Sequence, residues 1–168
     1  MATNNAINLP GPTPVFSTAL SSTVFNVTGS GTYYQVLFDT VISDTVSGYD
    51  NTTGVYTVKT AGTYFLTSHI TYGPNAPYNP LLLYIYMSIN GVPFQFGLSP
   101  LSGLVANYYG PNDWLSFEGS IIVPLSVGNT ISVTVQGYGE TSDNDGILGA
   151  LPSVVYQTTF SGFMIAQV

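Results

Sequence analysis

Ten short runs rich in Val, Ile, Thr, Tyr and Phe, separated by Gly, Asn, Asp or Pro punctuation, dominate what this chain can fold into. They cover residues 15–20, 24–27, 34–42, 55–60, 62–71, 81–89, 92–96, 115–124, 130–138 and 156–167. Runs of this composition and spacing read as strands separated by turns. The 18 glycines and 11 prolines interrupt the windows a helix would need, and no capped segment of period 3.6 stands out. Ile131-Ser132-Val133-Thr134-Val135-Gln136 alternates strictly, which places one face on a core and the other toward water. Leu81-Leu82-Leu83-Tyr84-Ile85-Tyr86 does not alternate, so cover is expected on both of its faces. The pattern predicts an all-β, antiparallel two-sheet sandwich, with a ten-stranded jelly roll as the leading topology.

Organisation along the chain is simple. Residues 1–14 end in Leu9-Pro10-Gly11-Pro12-Thr13-Pro14, where proline fixes φ and removes backbone donors. They predict an extended arm or linker, followed by one domain over 15–168. The first residues lack the basic and apolar regions of a signal peptide, and no stretch approaches the ~20 apolar residues of a membrane span.

Charge narrows the function classes. The 168 residues hold one Lys, no Arg, one His and eight carboxylates, for a net charge of −7. A nucleic-acid binder needs cations against phosphates, and Lys59 alone cannot supply them. Attraction to an anionic membrane fails for the same reason. With no cysteine there is no disulfide and no thiolate chemistry. The surface must be built from Thr, Ser, Asn, Gly and Tyr, a type we associate with extracellular, virion or spore-coat proteins.

The block Tyr49-Asp50-Asn51-Thr52-Thr53-Gly54-Val55-Tyr56, continued by Gly62-Thr63-Tyr64-Phe65, resembles the signature of the complement C1q globular domain. Phe38-Asp39-Thr40, the turn Ile89-Asn90-Gly91 and the ending Phe160-Ser161-Gly162-Phe163-Met164-Ile165 are similar to flanking features of that family. The resemblance spans 15–168, except that 97–114 has no counterpart and reads as an enlarged loop. It implies a ten-stranded jelly roll of the C1q and tumour necrosis factor type, assembled as a homotrimer. Such domains are non-enzymatic binding or adhesion heads, outside the cell or on a virion or bacterial surface. The lack of Cys and near lack of Lys and Arg favour a bacterial or viral member. A purely structural virion, fibre or spore-coat component is the alternative.

The residues also stand without the family. Asn90-Gly91 is the strongest short hairpin signal, and Gly54 can supply the positive φ of a tight turn. Thirteen Tyr and nine Phe exceed what one sandwich core needs, so part of the apolar surface is expected between subunits. Parity leaves two interface sets open, Tyr64 with Leu66 or Phe65 with Thr67. Phe163 on the last strand is a further interface candidate.

Catalytic constellations are missing. His69 adjoins Ser68, but neighbours on a strand face opposite ways. Glu118 and Glu140 are the only glutamates, and their spacing singles out no acid pair. Thr141-Ser142-Asp143-Asn144-Asp145-Gly146 partly resembles a calcium loop, with Asp143 and Asp145 as weak ligand candidates for Ca²⁺; Pro152 stands where such a loop has its bidentate Glu. The most suggestive stretch is Asn107-Tyr108-Tyr109-Gly110-Pro111-Asn112-Asp113-Trp114. Its rings suit stacking on sugars or a partner surface, and its amide and carboxylate suit hydrogen bonding. Tyr108, Tyr109, Asn112, Asp113 and Trp114 are therefore the ligand-binding candidates, for a protein or glycan on a cell surface. No catalytic residue and no resident cofactor are expected.

Overall fold

The computed structural model describes residues 13–74, 82–100, 114–150 and 158–167. Among these are thirteen strands and no helix: β1 (Val15–Ala19), β2 (Val24–Thr28), β3 (Tyr33–Gln35), β4 (Thr40–Asp44), β5 (Tyr49–Asp50), β6 (Val55–Thr57), β7 (Gly62–Pro74), β8 (Leu82–Ile89), β9 (Val92–Pro100), β10 (Leu115–Leu125), β11 (Thr130–Tyr138), β12 (Asp145–Ile147) and β13 (Thr159–Gln167). They form two sheets, and every pairing described is antiparallel. In the first sheet β10, β7, β13, β1 and β4 run side by side, and β12 continues the β13 edge of β7 out to β2. The second has the order β5-β6-β11-β8-β9, with β3 also on β11.

The core lies between the sheets. Tyr64, Leu66, Ile70 and Tyr72 of β7 meet Leu83, Ile85 and Met87 of β8 and Ile131, Val133 and Val135 of β11, all buried. Alternation on each strand is what delivers one side chain in two to this layer. Phe16 stacks on Tyr56 at 4.1 Å and meets the edge of Phe160 at 4.9 Å. Gly162 faces inward beside them. A Cβ there would stand 2.6 Å from Leu66 and 2.7 Å from Phe16, so the missing side chain is what admits both.

The structure differs from the sequence expectation in several elements, among them residues 97–100, expected in a loop but forming the end of β9. Residues 34–42 are not one strand. β3 belongs to the second sheet and β4 to the first, and the chain crosses at 36–39. Val36 and Phe38 are fully buried at this corner. Asp39 holds it from outside, taking Ser21 N at 2.7 Å and the Ser21 hydroxyl at 2.5 Å. A further difference is the polar run 141–146, which ends in strand β12. Asn90-Gly91 does form the β8–β9 hairpin, with φ of 52° and 76° at the two residues. Pro14 is already docked, its carbonyl accepting Met164 N at 3.0 Å.

Candidate functional site

Each sheet turns one face inward and one outward, and strand register fixes what each outward face displays. On the first sheet the pairings align Val15, Phe163, Phe65 and Ile122 across β1, β13, β7 and β10. This row is apolar over four strands. Phe163 is 44% and Ile122 62% exposed, and the Phe65 and Phe163 rings lie 5.4 Å apart. The next row holds Ser17, Ser161, Thr67 and Ser120, all small and hydroxylated. Between them lies a groove of about 220 Å³, lined by Val15, Phe65, Thr67, Ser161 and Phe163 among others.

Of the two parity sets, Tyr64 and Leu66 are fully buried inside the single chain, and the Tyr64 hydroxyl donates to the Thr60 carbonyl at 2.7 Å. They are core residues and are not available to a neighbouring subunit. The outward set is Phe65 with Thr67, joined by Phe163. Ser68 and His69 also separate by parity. The Ser68 hydroxyl, on the core side, donates to the Thr159 carbonyl at 2.9 Å, while His69 is aligned with Glu118 on the outward side.

On the second sheet the outward face is built from tyrosines. Tyr84 and Tyr86 of β8 lie 6.0 Å apart with planes 10° from parallel. Tyr138 of β11 meets Tyr84 edge-on at 5.8 Å, and Tyr33 of β3 approaches Tyr86 at 5.9 Å. The strand read as apolar on both faces thus alternates after all, with Leu83, Ile85 and Met87 inward and Tyr84 and Tyr86 outward. Beneath the rings Gln136 is buried, its amide donating to the Gly31 carbonyl at 2.7 Å. Burial is the main cause that pushes the Tyr86 hydroxyl up to about 12, with neighbouring tyrosines adding to it, so it stays neutral.

Tyr108, Tyr109, Asn112 and Asp113 lie outside the described residues. Trp114 is half-buried just before β10, 6.2 Å from the ring of Phe25, which is 49% exposed. Sequence reading missed Phe25 as a partner because it sits on a separate strand, far away along the chain.

The candidate calcium residues Asp143 and Asp145 are both engaged by protein donors. Asp145 is fully buried in β12 and accepts from the Tyr72 hydroxyl through Oδ2, while its Oδ1 has no partner. Asp143 Oδ1 is occupied by the amide and hydroxyl of Ser30, at 3.1 and 2.7 Å. Burial pushes the Asp145 carboxyl up to about 7; the Tyr72 hydrogen bond opposes this, and the charges of Glu140 and Asp143 reinforce it. Among the described residues no three acidic or imidazole side chains converge on one point. What the corner does is join loops: Gly31 N donates to Gly137 O at 2.8 Å, Glu140 N to Gly29 O at 3.0 Å, and Gly137 N to the Thr28 hydroxyl at 2.7 Å.

No protein-family model matches the chain, and no curated protein matches it in sequence. Solved structures do match in shape. The globular domain of zebrafish complement 1qA protein superposes with a TM-score of 0.58 at 17% identity, over 92% of this chain and 99% of that one. Murine APRIL, crystallised at pH 8.0, superposes with a TM-score of 0.57 at 11% identity, over 92% and 100%. Two antiparallel sheets, a buried aromatic core and near-complete cover of both comparison chains lead to one statement: this chain has the C1q/TNF-like jelly-roll fold.

Proposed function

We propose that the chain is a non-enzymatic head that assembles as a homotrimer and binds a ligand displayed outside the cell. The observation that carries this is the outward face of the first sheet. The row Val15, Phe163, Phe65 and Ile122 forms a band of apolar side chains, flanked by a row without charge. Soluble single chains rarely expose a continuous apolar band of this kind. A second and third copy would cover it, with an interface of ~2,000 Å² or more expected for an obligate assembly. The C1q/TNF-like fold supports a trimer over other closed forms. Phe65, Phe163 and Ile122 are the contact residues in this reading, and Tyr64 and Leu66 act beneath them as core.

The ligand is a protein or glycan on a cell surface, and Trp114 with Phe25 is the described part of the loop region that would meet it. A bacterial or viral surface setting fits the charge-poor composition. Light scattering at micromolar concentration tests the assembly: three times the 17.8 kDa chain mass supports it, and a stable single-chain mass overturns it. A trimer that captures nothing from a glycan array or from intact cells would leave the purely structural coat or fibre reading in place.

A further inference from the structure

The outward face of the second sheet has no role in the trimer just described, and its chemistry is unlike that of the first. Four tyrosines from three strands, Tyr33, Tyr84, Tyr86 and Tyr138, form an unbroken chain of ring contacts. Next to it lies a depression of about 230 Å³ lined by Tyr33, Tyr86, Ser88, Gly91, Pro93 and Thr134. We propose that this face binds a neutral saccharide, one sugar ring resting in the depression against Tyr33 and Tyr86 and the next units running over Tyr84 toward Tyr138. The proposal rests on the binding-head reading and gives it a second location and a ligand class.

Three features choose the occupant. The lining carries no Asp, Glu, Lys or His, so nothing there would neutralise a charged ligand, and a neutral one loses least on entry. The aliphatic side chains that anchor protein partners, Leu83, Ile85, Met87, Val133 and Val135, all point into the core instead. What faces out is flat ring surface interleaved with hydroxyls. A pyranose presents the same mixture, an apolar C–H face with hydroxyls around its edge. The volume is below the ~300–1,000 Å³ of pockets that enclose a whole small molecule, which suits one ring of a longer chain. The site is also held rigid: Gln136, beneath the rings, is fixed by the Gly31 carbonyl, and Tyr86 donates to its Oε1 at 3.4 Å.

The test uses the assembled protein on an array of neutral and charged glycans, with a decaproline peptide as the competing chemistry. The strongest neutral hit is then titrated by calorimetry. Neutral glycans are expected to bind. Tyr33→Ala and Tyr86→Ala should each weaken the hit about tenfold or more, with the mass of the assembly and the melting temperature of Tyr33→Ala unchanged. Tyr33→Phe, which keeps the ring, should retain most of the affinity. Binding confined to acidic glycans, binding of decaproline alone, or no binding at all overturns the proposal. A neutral hit lost in Trp114→Ala but kept in Tyr33→Ala also overturns it, while leaving the binding-head reading intact. A single-chain mass removes the trimer and does not touch the saccharide result.

Discussion

The two sheets are built by the same alternation and share one core, yet their outward faces differ in kind. The first presents Val15, Phe163, Phe65 and Ile122 in a straight row, with small hydroxyls behind. The second presents tyrosines and hydroxyl side chains intermixed. An apolar row is stable in water only when covered, whereas a tyrosine keeps a polar tip for solvent and a flat face for a guest. In our proposal assembly falls to one face and recognition to the other, and four perturbations can break or sharpen that division.

The largest expected effect is loss of assembly. Phe65→Asp would place a charge in the middle of the apolar row, between Phe163 and Ile122. Burying an unpaired carboxylate costs more than such an interface can offset. Sedimentation should show single chains, with the circular dichroism of a β protein retained. The matching change on the second sheet, Tyr86→Asp, should leave the mass unaltered. Dissociation by both, or by neither, would mean that the two faces do not divide the work.

One residue further along β7 the consequence changes from assembly to folding. Leu66 is fully buried against Phe16 and Gly162, so Leu66→Ala should cost ~2–5 kcal/mol. Denaturant unfolding of a Phe65→Ala and Leu66→Ala pair measures this directly. Comparable losses at both positions would contradict the parity the structure assigns.

Where the sheets are joined, the buried carboxyl of Asp145 ties stability to pH. In the folded chain burial holds its proton up to about pH 7, while the unfolded carboxyl releases it near 3.8. Between these values the folded state binds more protons than the unfolded one, so this group makes stability fall as pH rises, by an amount of the order of a few kcal/mol. Above about pH 7 its contribution is flat. Asp145→Asn keeps an acceptor for the Tyr72 hydroxyl and carries no charge. It should remove that part of the slope and raise the melting temperature at pH 8 more than at pH 5. An equal gain at both pH values would show that charge is not the cause.

Much of this layout could be read from the chain, and what was missed has physical reasons. Asn90-Gly91 and the strictly alternating 131–136 gave correct elements because hairpin geometry and period-two burial are local. The corner at 36–39 was hidden because Val36 and Phe38 continue the alternation of a strand while the backbone changes sheet. Asp145 looked like a loop residue, since only its tertiary partner Tyr72 makes a buried carboxyl tolerable. Counting Tyr as apolar concealed the alternation at 82–86. The tyrosine face itself could not be seen, because register alone brings Tyr33, Tyr84 and Tyr138 together from three strands.

The smallest expected effect is on the stability of the second outward face. Tyr33 is 61% exposed and touches Tyr86 across a tilted 5.9 Å contact. Little apolar area is lost with it, and β3 keeps its backbone pairing to β11 whatever the side chain. Tyr33→Ala should therefore change unfolding free energy by no more than about 0.5 kcal/mol, the usual range for an exposed position. The contrast with Leu66 is then a matter of place, not of residue size. If Tyr33→Ala instead lowers stability by ~2 kcal/mol or more, the tyrosines are an outer packing layer. The second sheet would then use its rings as the first sheet uses its apolar row, to cover itself.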